Sequence, residues 1–150
     1  MMKVFLGGTV NGSTWRDKLI PLLNKDSVDY FNPVVEEWTE ECKARERIER
    51  TRCDVNLYVL TPLMAGVYSI AEVVDDSNKR PTKTVLMILE EDNHETFTNR
   101  NRHSLREVER LVRHNGGTVV QGSIKDLATY LNERSVGLTD ITRLFGLRQN

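Results

Sequence analysis

Val55-Asn56-Leu57-Tyr58-Val59-Leu60, closed by Thr61-Pro62, is an almost wholly apolar run of strand length. After Gly66 the stretch Val67 to Ser77 has helical character, and Thr84-Val85-Leu86-Met87-Ile88-Leu89 is a second apolar run. A helix between two such runs is too long for a hairpin, so the runs pair in parallel and the helix crosses one face of the sheet in the right-handed sense. Apolar residues at successive positions, without alternation, mean that both faces of these strands are covered. This unit sets the fold class.

The same alternation continues outward in both directions. Towards the amino end, Val4-Phe5-Leu6 reads as a strand ended by Gly7-Gly8. Thr14-Trp15-Arg16-Asp17 has the form of a capping box opening a helix to about Asn24, which Pro21 is expected to kink or shorten. Asp29 to Phe31 is a short strand running into Asn32-Pro33, where the proline holds Asn32 extended. Glu37 to Arg52 is rich in charge, with Trp38, Cys42 and Ile48 near helical spacing, which predicts an amphipathic helix with a solvated face. Towards the carboxyl end, Ser104 to Asn115 reads as a helix stopped by Gly116-Gly117, and Thr118-Val119-Val120 as a strand. Ser123 to about Glu133 is then a helix behind a second box, Ser123-Ile124-Lys125-Asp126. Five strands and five helices in alternation predict an α/β fold, a doubly wound five-stranded parallel sheet in three layers. We expect one domain over residues 1–133, with 134–150 a tail that docks or meets another subunit.

Composition agrees with one folded domain. The chain has 150 residues, 39% hydrophobic and 29% charged, enough for a real core and unlike a disordered segment. Its 21 basic and 22 acidic residues leave a net charge of −1, so no overall positive field draws it to nucleic acid, and none is expected as a partner. The apolar run at Met1 to Leu6 is too short for a signal-peptide core, and no stretch nears the roughly eighteen apolar residues of a membrane span. Cys42 and Cys53 lack zinc or redox spacing and read as reduced thiols, which points to a cytoplasmic protein away from membranes. His94, His103 and His114 show no metal-ligand pairing, and we expect neither metal nor cofactor.

Open parallel sheets bind ligands beyond the carboxyl ends of their strands, where strand order reverses. The loop Gly7-Gly8-Thr9-Val10-Asn11-Gly12-Ser13 lies there, and its glycines serve either a plain tight turn or close backbone approach to a phosphate or sugar. It is neither GxGxxG nor a Walker loop. Glu72 falls in the first turns of the helix after the third strand, at the same edge. A carboxylate there either attacks an electrophilic sugar carbon or simply complements the helix dipole. Asp54 precedes its strand and is expected away from the site, while Asp75 and Asp76 are expected on the solvated side of their helix. Arg100, Arg102, Arg106, Arg110 and Arg113 read mainly as a solvated helix face.

At Val4-Phe5-Leu6-Gly7-Gly8-Thr9, Tyr30-Phe31-Asn32-Pro33-Val34-Val35 and Gly66-Val67-Tyr68-Ser69-Ile70-Ala71-Glu72-Val73, the sequence resembles the nucleoside 2-deoxyribosyltransferase-like family, in its short branch. The likeness runs over about residues 3 to 133 and implies a flavodoxin-like sheet. It implies cleavage of the N-glycosidic bond of a deoxynucleoside through a glutamate nucleophile, with the sugar passed to another base or, in hydrolase relatives, to water. By position Glu72 is similar to that nucleophile. The family's proton-transferring acid lies eight residues before the acidic residue that opens the third strand. Counting back from Asp54 gives Glu46, a Glu where the pattern has Asp, with Glu49 competing one turn on. Gly66 stands six residues ahead of Glu72, and Tyr68 occupies a position usually held by glycine. The resemblance further implies Ser69 beside the sugar's 5′-hydroxyl or phosphate, and substrate contacts from Gly7, Gly8, Thr9, Asn11, Ser13, Asn32 and Gly66. It implies a small-molecule nucleoside or nucleotide as partner, and a homo-oligomer in which a neighbour completes the site. Two rivals keep the same fold: a hydrolase of deoxynucleoside 5′-monophosphate or NAD, and a nucleotide-sensing module that binds without turnover.

Overall fold

The computed structural model describes the backbone of residues 1–144 and the side-chain surroundings of residues 1–138. In chain order the strands are β1 (Met2–Gly8), β2 (Val28–Phe31), β3 (Val55–Leu60), β4 (Thr84–Ile88), β5 (Glu91–Asp92), β6 (Glu95–Thr96) and β7 (Thr118–Val120). The helices are α1 (Trp15–Leu19), α2 (Glu40–Arg52), α3 (Tyr68–Lys79), α4 (Asn99–His114) and α5 (Ile124–Leu144). Five strands form one sheet, ordered β2-β1-β3-β4-β7 with every pairing parallel, which is the doubly wound, flavodoxin-like arrangement.

Alternation along the central strands sends side chains to two cores. Val55, Leu57 and Val59 of β3 join Val4 and Leu6 of β1, Trp15 and Leu19 of α1, and Leu127 and Leu131 of α5. Tyr58 and Leu60 point the other way, to Phe5, Leu86 and Ile88, Val73 of α3, and Leu105 and Val112 of α4. Every residue of β3 is buried, as its unbroken apolar run requires of a strand covered on both faces.

Several boundaries differ from the sequence expectations for identifiable reasons. α1 ends at Leu19 and gives way to a 3-10 turn at Ile20–Leu22, with Pro21 in its first positions, so the proline shortens the helix. Thr14 makes no side-chain cap, so the first capping box does not form. The second does: the Ser123 amide donates to Asp126 at 2.8 Å, and Ser123 Oγ accepts from the Asp126 amide at 3.3 Å. α4 begins earlier than expected, at Asn99, because Thr98 Oγ1 caps it by accepting from the Asn101 amide. Glu91–Asp92 and Glu95–Thr96 form a small antiparallel hairpin where a loop is expected, turned by Asn93 and His94 at positive φ. α5 runs past Glu133 to Leu144, and residues 145–150 of the expected tail lie outside the described residues. No described helix is long and apolar enough to cross a membrane.

Candidate active site

A cleft of about 290 Å³ opens at the carboxyl ends of β1, β2 and β3, where the strand order reverses between β1 and β3. Its floor is the end of β1. Gly7 must be glycine because a Cβ there would stand 2.9 Å from the Tyr58 ring; at Gly8, with φ +113°, it would stand 2.1 Å from the Val59 carbonyl oxygen. Packing against β3 therefore explains both glycines, and the bare backbone that results faces the cleft.

α1 stitches this floor in place from behind. Arg16 Nε donates to the Leu6 carbonyl at 3.0 Å and Nη1 to the Thr9 carbonyl at 2.7 Å, while Trp15 Nε1 also donates to Thr9 O at 2.8 Å. Arg16 is buried, lines the cleft, and has no carboxylate within ion-pair distance among the described residues. Burial pulls its pKa down to about 10, against the favourable fields of Asp17 and Glu46.

The acidic groups come from two helices that each offer an i, i+4 pair. α2 supplies Glu46 and Arg50, and α3 supplies Glu72 and Asp76. Arg50 bridges α3: Nη1 lies 3.2 Å from Glu72 Oε2, and Nη2 lies 3.0 Å from Asp76 Oδ1. Asp76 has no exposed side-chain surface and also accepts from Tyr58 Oη and Arg80, with Asn56 Nδ2 at 3.4 Å. The expectation of a solvated Asp76 is thus corrected. Its carboxylate is the anchor of a buried network, sustained by charged and hydroxyl donors. Asp75 is solvated as expected and pairs with Lys79 at 3.0 Å. Asp54 sits at the opposite edge, where its Oδ2 accepts from the Lys3 amide at 2.8 Å.

Burial raises the Glu72 pKa to about 7; Arg50 opposes the rise, and the charges of Glu46 and Asp76 add to it. Burial likewise raises Glu46, against Arg50, Arg47 and Arg16. For Arg50 desolvation disfavours the charge, yet Tyr58, Asp76 and Glu72 together hold it firmly protonated. Two carboxyls that resist ionisation, in one cleft beside a fixed cation, are suited to acid–base and nucleophilic work near neutral pH.

Of the sequence candidates, Gly7, Gly8, Thr9, Asn11, Glu46, Gly66, Ser69 and Glu72 line the cleft. Thr9 is committed structurally, since its Oγ1 accepts from the Thr61 amide at 3.0 Å. Ser13 and Asn32 are not among the lining residues: Ser13 Oγ donates to Asp92, and Asn32 Oδ1 accepts from the Val34 amide at 3.1 Å in a turn ahead of the helix α2. Sequence reasoning missed Arg50, Tyr58 and the role of Asp76. It also missed the apolar mouth, where Trp38 and Tyr68 stand 58% and 73% exposed beside Val34 and Val35. Trp38 precedes α2, and α2 buries none of its side chains, so the spacing of Trp38, Cys42 and Ile48 does not mark a core-facing stripe.

Fold and cleft together define a doubly wound α/β protein with an open cleft at the switch point that bears paired carboxyls. The family model for nucleoside 2-deoxyribosyltransferase-like proteins matches residues 1–76, just over half of the chain, and every residue lining the cleft lies within that match. The chain belongs to the nucleoside 2-deoxyribosyltransferase-like family. No curated protein and no solved structure gives a significant match.

Proposed function

We propose that the protein cleaves the N-glycosidic bond of a deoxynucleoside and transfers the 2-deoxyribosyl group to a second base through an ester to Glu72. The observation that carries this reading is the half-buried Glu72 carboxylate in the switch-point cleft of a chain from this family. Glu72 attacks the anomeric carbon as its bond to the base nitrogen breaks. The bonding pair leaves with the base, which takes a proton from Glu46. The incoming base then attacks the same carbon, the ester bond returns its electrons to Glu72, and Glu46 recovers a proton. Burial disfavours the charge on both carboxyls, and the Arg50 guanidinium 3.2 Å from Oε2 supports Glu72 as the anion, which leaves Glu46 as the acid.

The bare backbone of Gly7 and Gly8 accommodates the sugar, and the apolar mouth suits the face of a base. Ser69 lies in the first turn of α3, whose N-cap, Val67, offers no side-chain acceptor, so this helix end favours an oxygen-rich group of the sugar. Arg16 favours a second reading: a guanidinium that lines the cleft, held by the Leu6, Gly8 and Thr9 carbonyls and without a carboxylate partner among the described residues, suits a substrate anion such as a deoxynucleoside 5′-monophosphate, with water as acceptor.

The test is chromatography of products from a panel of deoxynucleosides, their 5′-monophosphates and NAD, each with and without a free second base. We expect a new nucleoside only with the second base, and loss of about three orders of magnitude or more in turnover for Glu72→Gln. Base release without exchange assigns the hydrolase reading. Retained turnover in Glu72→Gln overturns the nucleophile, and stoichiometric binding without turnover assigns a sensing module.

A further inference from the structure

Arg50 stands out because it spans two carboxylates of one helix, of which the scheme above uses one. We propose that Arg50, clamped by Asp76, is a positioning residue that grips Oε2 of Glu72, leaves Oε1 for the sugar, and supplies the charge that favours the anion. This rests on the reading of Glu72 as nucleophile. Four observations support it. Glu72 and Asp76 are one helical turn apart on α3, so one guanidinium reaches both, at 3.2 and 3.0 Å. Asp76 is itself fixed by Tyr58 Oη from β3 and by Arg80, so the clamp does not follow the motion of Glu72. The Arg50 carbonyl is tied down as well, accepting from Asn56 Nδ2 at 2.7 Å. Finally, Arg50 Nε is buried with no hydrogen-bond partner among the described residues, while both of the terminal nitrogens hold carboxylates.

The charges around Glu72 balance in a way that makes Arg50 decisive. From α2, Glu46 disfavours its ionisation and Arg50 favours it; from α3, Asp76 disfavours it. Tyr58 of β3 acts on Asp76 and Arg50, Arg80 acts through Asp76, and Arg16 of α1 acts on Glu46. Arg50 is the one cation in ion-pair contact with Glu72 among the described residues. When Glu72 becomes an ester its charge is consumed, and Arg50 stays neutralised by Asp76 rather than being left as a lone buried cation.

The experiment is a ¹³C NMR titration of the side-chain carboxyls in glutamate-labelled protein, with Glu72→Gln identifying the Glu72 signal. We expect Arg50→Gln to move the Glu72 midpoint upward by about one pH unit, tenfold in acidity. Arg50→Lys keeps a charge but cannot fork to both carboxylates, and is expected to give a smaller upward shift. The rising limb of kcat/KM against pH is expected to move by the same amount. A midpoint unmoved in both variants overturns the proposal, as does a pH limb that stays put while activity falls. If Arg50→Gln does not fold, Arg50→Lys carries the test alone, and a shift in its midpoint upholds the proposal. The NMR arm needs no substrate, so a protein that turns over nothing in the panel refutes the proposed function while Arg50's hold on Glu72 is still decided.

Discussion

As the proposed nucleophile, Glu72 carries opposed demands. The cleft that desolvates it makes the carboxylate a stronger nucleophile and also makes its charge costly, so the folded-state pKa rises to about 7 from an ordinary value near 4.5. A carboxyl whose pKa is raised on folding binds its proton more tightly in the native state. Stability from this group is therefore present at low pH and is lost as pH climbs from the unfolded value through about 7. Glu72→Gln removes the titration, so its melting temperature is expected to lie close to the parent's near pH 5 and to exceed it by roughly 5–10 °C near pH 8. Thermal unfolding across that range checks it, and a gap that is constant with pH would refute it. Glu72 was legible in the sequence because it follows a recognisable strand and turn. Asp76 was not: a second acid in Asp75-Asp76 looks solvated, and only the fold brings Tyr58 and Arg50 onto it from distant positions, to join Arg80 one helical turn on.

At the scale of elements, the end of β1 meets β3 so closely that no side chain fits. Gly8→Ala would set a Cβ against both the carbonyl and the amide of Val59, in a backbone region that L side chains rarely adopt. We expect a loss of more than about 3 kcal/mol, read as a lower urea midpoint with unchanged slope. An unchanged midpoint would mean that β1 yields easily there. The apolar strands were readable because continuous hydrophobic runs admit few alternatives. The β5–β6 hairpin was not, since its strands are polar and two residues long, and their pairing depends on Asn93 and His94 at positive φ. The start of α4 was hidden similarly: Thr98 caps a polar stretch, Asn99 to His103, with no apolar periodicity to announce it.

For the whole molecule, assembly is the open prediction. The proposed homo-oligomer is expected to sediment at a multiple of 17.3 kDa at micromolar concentration. A monomer mass at all concentrations would remove the neighbour from the proposed site and leave the cleft to close by itself.

All the residues that line the cleft lie between Phe5 and Glu72, yet β3, on which they depend, is completed on its far edge by β4. A ribosome making this chain thus finishes every reactive group well before the wall behind them exists. Until Thr84–Ile88 emerges and pairs, Tyr58 has no Leu86 to pack against. A nascent chain that carries the full set of cleft carboxyls therefore still lacks part of the packing behind them until β4 is in place.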